Sequence, residues 1–275
     1  VTLVREPVSH LMSAYRMWPP SFRCKQVSAT CVSVGKHATP LPEWLPRAAG
    51  LQAGSLTLDS NPHALAANGL PDVLAKLLET SETAIDLNAK DDYGCAPLLW
   101  AARNGHIDML KLLLDKGADV ETAGYNGMRA LHHVCNSSKE KCVEILLEAD
   151  ANPNATDDAN STPLHWAAAR GVLNIVVRLS DKGADPNVAT KTGVRPIHKA
   201  CIYGQFQIVK KLVEGGADVD VQDNEGNTAL HYAARMGFIE CVKALVANNA
   251  NKRQQNTLKQ VPADLALTPE IEELL

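Results

Sequence analysis

The chain has 275 residues, of which 45% are hydrophobic and 21% are charged, a composition typical of globular proteins. Its formal net charge is −4, and residues 61–275 contain 28 acidic against 21 basic residues, which argues against nucleic acid as the main ligand. No run of about 18 consecutive apolar residues occurs, so we expect no membrane-spanning helix and no membrane partner.

Residues 1–61 differ from the rest of the chain. Six of the 15 prolines lie in the first 46 residues, and no helical or strand period is sustained there. We expect a disordered or loosely ordered tail over residues 1–61, with a transit peptide as the alternative because basic residues outnumber acidic ones. No signal-peptide-like apolar run is present, and none of the seven cysteines forms a Cys-x-x-Cys pair. These features predict a cytoplasmic location, with the nucleus as an alternative.

From about residue 62 the pattern becomes helical, and between residues 94 and 262 the sequence repeats with an unbroken period of 33 residues. Two landmarks recur at this interval: an apolar-histidine pair ending at His132, His165, His198 and His231, and a turn residue at Gly94, Gly127, Asn160, Gly193 and Gly226. Because a repeat multiplies apparent motifs, each landmark is one feature of a unit and not a set of separate sites.

The unit at residues 157–189 shows the predicted elements of one repeat. Thr162 can cap a helix, a proline follows at the first helical position, and Gly171 ends that helix. The apolar stretch at residues 175–179 predicts a second helix, and ADPNVATKTG (184–193) predicts a hairpin-like loop. One such unit cannot bury its apolar face alone, so we expect the units to stack into a solenoid.

Three stretches carry a family resemblance: GHIDMLKLLLDKGADV (105–120), TPLHWAAARG (162–171) and ALHYAARMG (229–237). They resemble ankyrin repeats, whose units have about 33 residues and a Thr-Pro-Leu-His-x-Ala signature. The resemblance implies an all-α ankyrin-repeat solenoid of helix-turn-helix units with projecting β-hairpin loops over residues 62–275. The implied units are a divergent first repeat (62–90), five full repeats (91–123, 124–156, 157–189, 190–222, 223–255) and a short terminal repeat (256–275).

Within the family, the chain resembles the gankyrin-like chaperones of proteasomal ATPases in its repeat count and its lack of insertions. The third unit also lacks the usual Gly-His and reads CNSSKEK (135–141). The Leu-x-Cys-x-Glu motif of these chaperones is absent, and YAARM (232–236) stands in its place. This resemblance implies a proteasomal ATPase subunit as one partner to test.

The four repeated histidines could suggest a metal site, but their spacing argues against one. Equivalent residues in stacked repeats lie roughly 8–10 Å apart, whereas zinc ligands must lie within about 4 Å of each other. The resemblance implies instead that each histidine hydrogen-bonds to the backbone and to the threonine of its own turn. We therefore assign His132, His165, His198 and His231 a structural role and expect no metal and no cofactor.

The repeated turn residues come just before a helix in every full unit. Asparagine is the commonest non-glycine residue at positive φ, so Asn160 at one of the five positions indicates a left-handed backbone there. We predict this conformation, and a structural role, for Gly94, Gly127, Asn160, Gly193 and Gly226.

No catalytic motif stands out in the chain. The sequence contains neither a Gly-x-x-x-x-Gly-Lys phosphate loop nor a Gly-x-Ser-x-Gly nucleophile elbow. The recurring loop carboxylates, such as Asp91-Asp92 and Asp157-Asp158, are expected to be solvated turn formers. We predict that the chain is not an enzyme.

Function is expected at the positions that the repeat leaves free to vary, which are the hairpin tips and the ends of the first helices. These positions are predicted to line a concave face, and Tyr, Arg and Met are enriched at protein interfaces. The predicted partner-binding residues are Tyr93, Arg103, Tyr125, Met128, Asp158, Arg170, Lys191, Ile202, Tyr203, Glu225, Arg235 and Met236. Trp100, Trp166 and Tyr232 share one position of the first helix, where groove lining and packing between repeats are both open interpretations.

The sequence thus predicts a monomeric, non-catalytic scaffold or adaptor that binds another protein on its concave face. One alternative is the ankyrin segment of a larger enzyme or channel, although the terminal character of VPADLALTPEIEELL (261–275) argues against a long continuation. A second alternative is a nuclear regulator that binds the DNA-binding domain of a transcription factor.

Overall fold

The structure is a computed structural model that describes residues 61–275. The tail predicted for residues 1–61 lies outside this part of the chain, except for its last residue. Asn61 caps the first helix, because its side-chain Oδ1 accepts a hydrogen bond from the His63 amide at 2.9 Å. Asn61 therefore belongs with the repeats and not with the tail.

The described residues form pairs of short helices separated by turns. In chain order the helices are α1 (Pro62–Asn68), α2 (Pro71–Thr80), α3 (Pro97–Asn104), α4 (Ile107–Asp115), α5 (Ala130–Asn136), α6 (Glu140–Glu148), α7 (Pro163–Arg170), α8 (Leu173–Asp181), α9 (Pro196–Ile202), α10 (Phe206–Glu214), α11 (Ala229–Met236), α12 (Ile239–Ala247) and α13 (Pro269–Leu274). Two 3-10 turns accompany them, at Tyr125–Gly127 and Pro262–Leu265. None of the helices in residues 61–275 is long and apolar enough to cross a membrane.

Local chemistry sets the ends of these helices, as α7 shows. Thr162 is its extended N-cap, and Pro163 occupies the first helical position, where a missing N–H costs nothing. Gly171 ends the helix in the left-handed region at φ 73°. The third unit lacks this glycine, and Ser138 takes up the positive φ there, at 58°. The chain can therefore turn between its two helices in each case.

The helices pack in two rows, with the hydrophobic core between them. The first helices of successive units contact each other in the order α1, α3, α5, α7, α9 and α11, and the second helices α2, α4, α6, α8, α10, α12 and α13 form the other row. One apolar residue of each full unit is at most 2% exposed at the same place: Leu98, Leu131, Leu164, Ile197 and Leu230. A single unit would leave these side chains in water, so burial in the shared core links the units.

The cysteines of the repeats are part of this core. Cys135 and Cys201 of the first helices are fully buried, and Cys142 and Cys241 of the second helices are at most 2% exposed. All four are free thiols, and burial raises the pKa of the Cys135 thiol, which therefore stays protonated. They act as small apolar side chains, as their repeat positions predict.

The last unit is shorter than the others. The single turn Pro262–Leu265 takes the place of its first helix and packs against α11, while α13 packs against α12. Ile271 of α13 is fully buried. The short unit thus covers apolar surface that the last full unit would otherwise expose.

The loops between units are hairpin-shaped turns, and residues 61–275 contain no strand. One backbone hydrogen bond closes each loop, as from the Asp157 amide to the Ser161 carbonyl at 3.0 Å. Neighbouring tips are joined by one more bond, as from the Lys191 amide to the Ala159 carbonyl at 3.0 Å. The β-hairpins of the predicted fold are corrected to turns, because single bonds at each loop do not build a ladder.

Candidate functional site

The candidate site is built on the loop and the first helix of each unit, and the loop conformation positions the rest. All five predicted turn residues have positive φ: Gly94 (70°), Gly127 (68°), Asn160 (62°), Gly193 (78°) and Gly226 (76°). The amide of each turn residue bonds the carbonyl three residues earlier, as from Gly193 to Thr190 at 2.9 Å. The next loop also approaches closely, since a Cβ at Gly193 would lie 2.7 Å from the Asn224 amide nitrogen.

Carboxylates at the start of three loops hold the turns together. The Oδ1 atoms of Asp91, Asp157 and Asp223 each accept hydrogen bonds from the amides two and four residues further on, at 2.8–3.0 Å. Asp92 and Asp158 are exposed beside them. The expectation of solvated turn formers is therefore wrong for the first residue of each pair, because backbone amides replace water as its partners.

The four repeated histidines join each first helix to two loops. Each Nδ1 accepts a hydrogen bond from the amide of the N-cap residue of its own helix, at 3.0–3.1 Å. The proton therefore sits on Nε2, which donates to a carbonyl of the following loop at 3.0–3.1 Å in every case. The Thr162 hydroxyl also lies 2.9 Å from Nδ1 of His165, the contact that the family resemblance implied.

Burial keeps the four repeated histidine rings neutral. We call the set of His132, His165, His198 and His231 the histidine ladder. They are at most 1% exposed. Burial lowers the pKa of His165 to about 3 and that of His198 to about 4, and it lowers the pKa of His132 and of His231 as well. Within residues 61–275, no three His, Cys, Asp or Glu side chains are grouped to hold a metal ion.

The loop tips present the most exposed part of the predicted site. Four predicted residues are exposed there: Tyr125, Asp158, Lys191 and Glu225. Tyr93 is half-buried instead, because its ring packs edge-on against Trp100 with 6.1 Å between the ring centroids. The tips therefore carry charges of both signs beside one largely exposed tyrosine.

Met128 does not belong to an exposed surface. Its side chain is 3% exposed, and its carbonyl accepts the Gly124 amide at 2.8 Å to close the loop. Cys95 and Ser161 occupy the same place in other units and are also buried, at 7% exposure each. The prediction that Met128 contacts a partner is wrong, because this position lies at the base of the loop and is covered by the protein itself.

The second part of the site is the C-terminal half of the first helices. Residues at positions i, i+3 and i+4 of a helix are neighbours on one face. We call the fifteen residues at three such positions of α3, α5, α7, α9 and α11 the first-helix row: Trp100, Arg103, Asn104, His133, Asn136, Ser137, Trp166, Ala169, Arg170, Lys199, Ile202, Tyr203, Tyr232, Arg235 and Met236. None of the fifteen is Asp or Glu, and four are Lys or Arg.

Aromatic rings organise two arginines near the ends of the row. The guanidinium carbon of Arg103 lies 5.8 Å from the centre of the Trp100 ring, and that of Arg235 lies 5.5 Å from the centre of the Tyr232 ring. Trp100 and Tyr232 are themselves held by the aspartate that begins their loop, through hydrogen bonds of 2.7 and 2.5 Å. Both rings are less than 10% exposed. They therefore pack between repeats and also support cations of the row.

The other predicted residues of the row differ in exposure. Arg170 is exposed, and its Nε and Nη2 atoms donate to Asn136 Oδ1 at 3.0 and 2.8 Å. Ile202, Tyr203 and Met236 are half-buried, and Ile202 packs against the core. The row is thus a partly covered surface from which one arginine projects.

The middle of the row contains polar atoms without partners. The Nε2 atom of His133 and the Nε1 atom of Trp166 are buried and make no hydrogen bond within residues 61–275. Burial lowers the pKa of His133 to about 3, so the ring is neutral. Lys199 is half-buried, and burial lowers its pKa against the opposing effect of the Asp157 carboxylate. Unsatisfied polar groups of this kind are rare in native proteins.

A second set of hydrogen bonds between units was not predicted from the sequence. At five positions 33 residues apart, a side-chain oxygen accepts the amide 31 residues further on, at 2.7–3.0 Å: Asn88, Glu121, Asn154, Asn187 and Asp220. The shared signal in the sequence is an oxygen-bearing side chain at every one of these positions. The role of these residues is to tie the units together.

Comparison with known proteins identifies the repeats. A family model described as ankyrin repeats matches the chain in three copies, at residues 59–124, 120–190 and 164–256. The human ASB11 ankyrin repeat domain superposes with a TM-score of 0.69 at 29% identity, over 78% of this chain and 96% of that domain. The resemblance and the solenoid fold inferred from the sequence are confirmed.

Curated relatives share the repeats over a small part of their length. A protein of Oryza sativa subsp. japonica named "Probable E3 ubiquitin-protein ligase XBOS33" is 40% identical over 82 residues, which is 30% of this chain and 16% of that protein. An L-asparaginase of Dirofilaria immitis is 37% identical over 82 residues, which is 30% of this chain and 14% of that protein. Similar repeats thus occur in proteins with different names and activities.

Proposed function

The chain belongs to the ankyrin-repeat family, and we propose that it is a non-catalytic scaffold or adaptor that binds another protein through its loop tips and first-helix row. Ankyrin repeats are a protein-protein interaction module, and the partner-binding role of these particular residues is our proposal. We place the chain in the cytoplasm or the nucleus as a monomer.

The proposal rests on a contrast between two kinds of repeat position in this chain. One kind keeps the same residue in successive units, and the other kind varies. The ladder position is histidine in four successive units, whereas the first position of the row reads Trp100, His133, Trp166, Lys199 and Tyr232. The fold therefore does not require a particular side chain at the first position of the row. The types found in the row include Trp, Tyr and Arg, which dominate binding energy at protein interfaces.

A pair of matched double variants tests the proposal. The row variant combines Arg170→Glu with Arg235→Glu, and the control variant combines Lys111→Glu with Lys210→Glu. Lys111 and Lys210 are exposed on the second helices α4 and α10, so both variants change the net charge equally. The full-length wild-type chain and both variants serve as bait for affinity capture from native lysate, after their melting temperatures are shown to agree.

We expect proteins captured by the wild type and the control variant to be lost with the row variant. Loss of proteasomal ATPase subunits in this pattern would establish the gankyrin-like chaperone. Loss of another partner in the same pattern would establish a scaffold of a different pathway. Equal capture by all three baits would contradict the proposal and move the binding surface away from the first-helix row.

A second candidate is the partner-binding segment of a larger enzyme. It is favoured by the likeness to "Probable E3 ubiquitin-protein ligase XBOS33", of which the match spans only 16%. The full open reading frame tests it: further domains of an enzyme on the same transcript would support this candidate, and their absence would exclude it.

A further inference from the structure

We propose that the first-helix row binds an extended, acidic segment of the partner protein, with carboxylates meeting the cations of four of its five first helices. This inference rests on the proposed function and names the chemistry of the partner. It goes beyond a general interaction surface, because it excludes neutral and basic segments as the occupant of the row.

Charge within the chain supports an acidic occupant. Residues 61–275 contain 28 acidic and 21 basic residues, yet none of the fifteen residues of the first-helix row is acidic. Acidic residues of the second helices are paired in part within the chain, as Glu144 with Arg178 at 2.8 Å and Glu240 with Lys243 at 2.9 Å. The fifteen side chains of the row therefore contribute only positive charge in a region that is acidic as a whole, which favours an acidic partner at the row.

Three loop carboxylates that bond or act on residues of the row are held by hydrogen bonds within the loops. Oδ1 of Asp91 and of Asp223 accepts two backbone amides, and Oδ2 accepts the aromatic donor of the same unit. Oδ1 of Asp157 likewise accepts two amides, and its charge acts on Lys199. These aspartates shape the base of the row, and their acceptor atoms are largely used inside the loops.

The spacing of the cations fits an extended chain. Arg103, Arg170, Lys199 and Arg235 lie on four different first helices, α3, α7, α9 and α11. Packed helices lie about 8–10 Å apart, and an extended peptide advances about 3.3–3.6 Å per residue. Carboxylates at about every third residue of the segment therefore match the spacing of the first helices, of which α5 alone among the five offers no cation. A segment of about 12 residues spans from Arg103 to Arg235 on the same arithmetic.

The cations are prepared for carboxylates before binding. The guanidinium groups of Arg103 and Arg235 lie over aromatic rings, which restrains them, and a guanidinium group matches a carboxylate in shape. Lys199 is half-buried, and a nearby carboxylate would stabilise its charged form. Trp166 adds a donor without a partner, since an indole N–H can only donate and therefore also needs an acceptor.

Labelled synthetic peptides test the proposal by fluorescence anisotropy with the full-length chain. The probe is a fluorescein-labelled 15-residue peptide with Glu at every third position and Ser or Gly elsewhere. A peptide with Gln in place of every Glu and a mixed-sequence 15-nucleotide RNA are the comparison probes. Each is titrated with the wild type, the row variant and the control variant, at low and at high salt.

We expect the Glu peptide to bind the wild type and the control variant equally, and the row variant at least tenfold more weakly. We also expect at least tenfold weaker binding of the Gln peptide and a loss of affinity for the Glu peptide at high salt. Equal binding of the Gln peptide, unchanged binding by the row variant or tighter binding of the RNA would overturn the inference.

The capture experiment separates this inference from the proposed function. If capture of the cellular partner depends on the row while the Glu peptide fails to bind, the acidic-segment inference falls and the proposed function stands. If neither capture nor peptide binding depends on the row, the acidic-segment inference and the proposed function are both contradicted. If both depend on it, and the captured partner contains an acidic segment whose deletion abolishes capture, the inference is supported.

Discussion

The histidine ladder and the first-helix row lie side by side on the same helices and differ in how their polar atoms are satisfied. His132 and His133 show the difference within two residues. His132 has both ring nitrogens bonded inside the chain, at 3.1 Å to each partner, whereas Nε2 of His133 is buried without a partner. Which face of the helix a residue occupies decides whether the fold itself supplies a hydrogen-bond partner for its side chain.

The two sets of positions are constrained differently within one repeat. Ladder positions keep one residue type because each histidine bonds two loops, so substitution would leave backbone groups unsatisfied. Row positions vary because no loop depends on most of them. The predictions below test this division, first on the ladder and the loops and last on the row.

Acidification should have the largest effect, through the ladder. The four ladder histidines have a folded pKa below their unfolded value of about 6.5, so their contribution to stability is fully present above pH 6.5 and is lost as the pH falls towards the folded pKa. Each neutral histidine contributes a slope of up to about 1.4 kcal/mol per pH unit, so the free energy of unfolding should fall by several kcal/mol between pH 6.5 and 5. Urea unfolding at several pH values measures this slope. Constant stability over this range would show that the ladder takes up protons in the folded state.

Gly193→Val should be the most destabilising single substitution in the loops. A β-branched residue at φ 78° is strained, and its Cβ would lie 2.7 Å from the Asn224 nitrogen and 2.9 Å from the Asp223 Cα. We expect a loss of about 3 kcal/mol or more in the free energy of unfolding. Asn160→Gly is the matched control, because its φ of 62° suits glycine, and it should cost no more than about 1 kcal/mol. Wild-type stability of the Val variant would disprove the role assigned to this turn.

His165→Ala should lower the free energy of unfolding by about 2–3 kcal/mol, since it leaves the buried Thr162 amide without a partner and removes one of two hydrogen bonds to the Val194 carbonyl. Thermal and urea unfolding of the variant measure the loss. Added zinc and a chelator serve as the control, and neither should move the melting temperature of the wild type. A zinc-dependent shift would restore the metal site that the spacing argues against.

The row variant, Arg170→Glu with Arg235→Glu, should lower the free energy of unfolding by no more than about 1 kcal/mol, through the lost contact of half-buried Arg235 with the Tyr232 ring, while it abolishes partner capture. Arg170 is exposed, and the bond from Arg235 Nη2 to Asn227 Oδ1 is long, at 3.3 Å. Urea unfolding measures the change in stability, and the capture assay measures the loss of partner binding. A loss above about 1.5 kcal/mol would show that these side chains support the fold and would blur the division between ladder and row.

Parts of the site were predictable because they depend on a few neighbouring residues. A tip position predicts exposure, and Tyr125, Asp158, Lys191 and Glu225 are exposed. Met128 was wrongly placed among them, since sequence alone does not show that the residue after the left-handed glycine lies under the loop. The sequence also led us to expect β-hairpins where the structure has turns. Turn-forming residues predict that the chain reverses direction, but they do not predict how many hydrogen bonds form beside the turn.

The sequence by itself determined the 33-residue period, the helix pairs, the left-handed turn residues and the family, because each follows from residues within one unit. Only the tertiary structure decided which atoms meet between units. Nε2 of His165 bonds the carbonyl of Val194, 29 residues on, while Nε2 of His198 bonds that of Val221, only 23 residues on. The same residue at the same repeat position finds different partners, because the stacking of neighbouring units, and not the local pattern, sets the distance between their atoms.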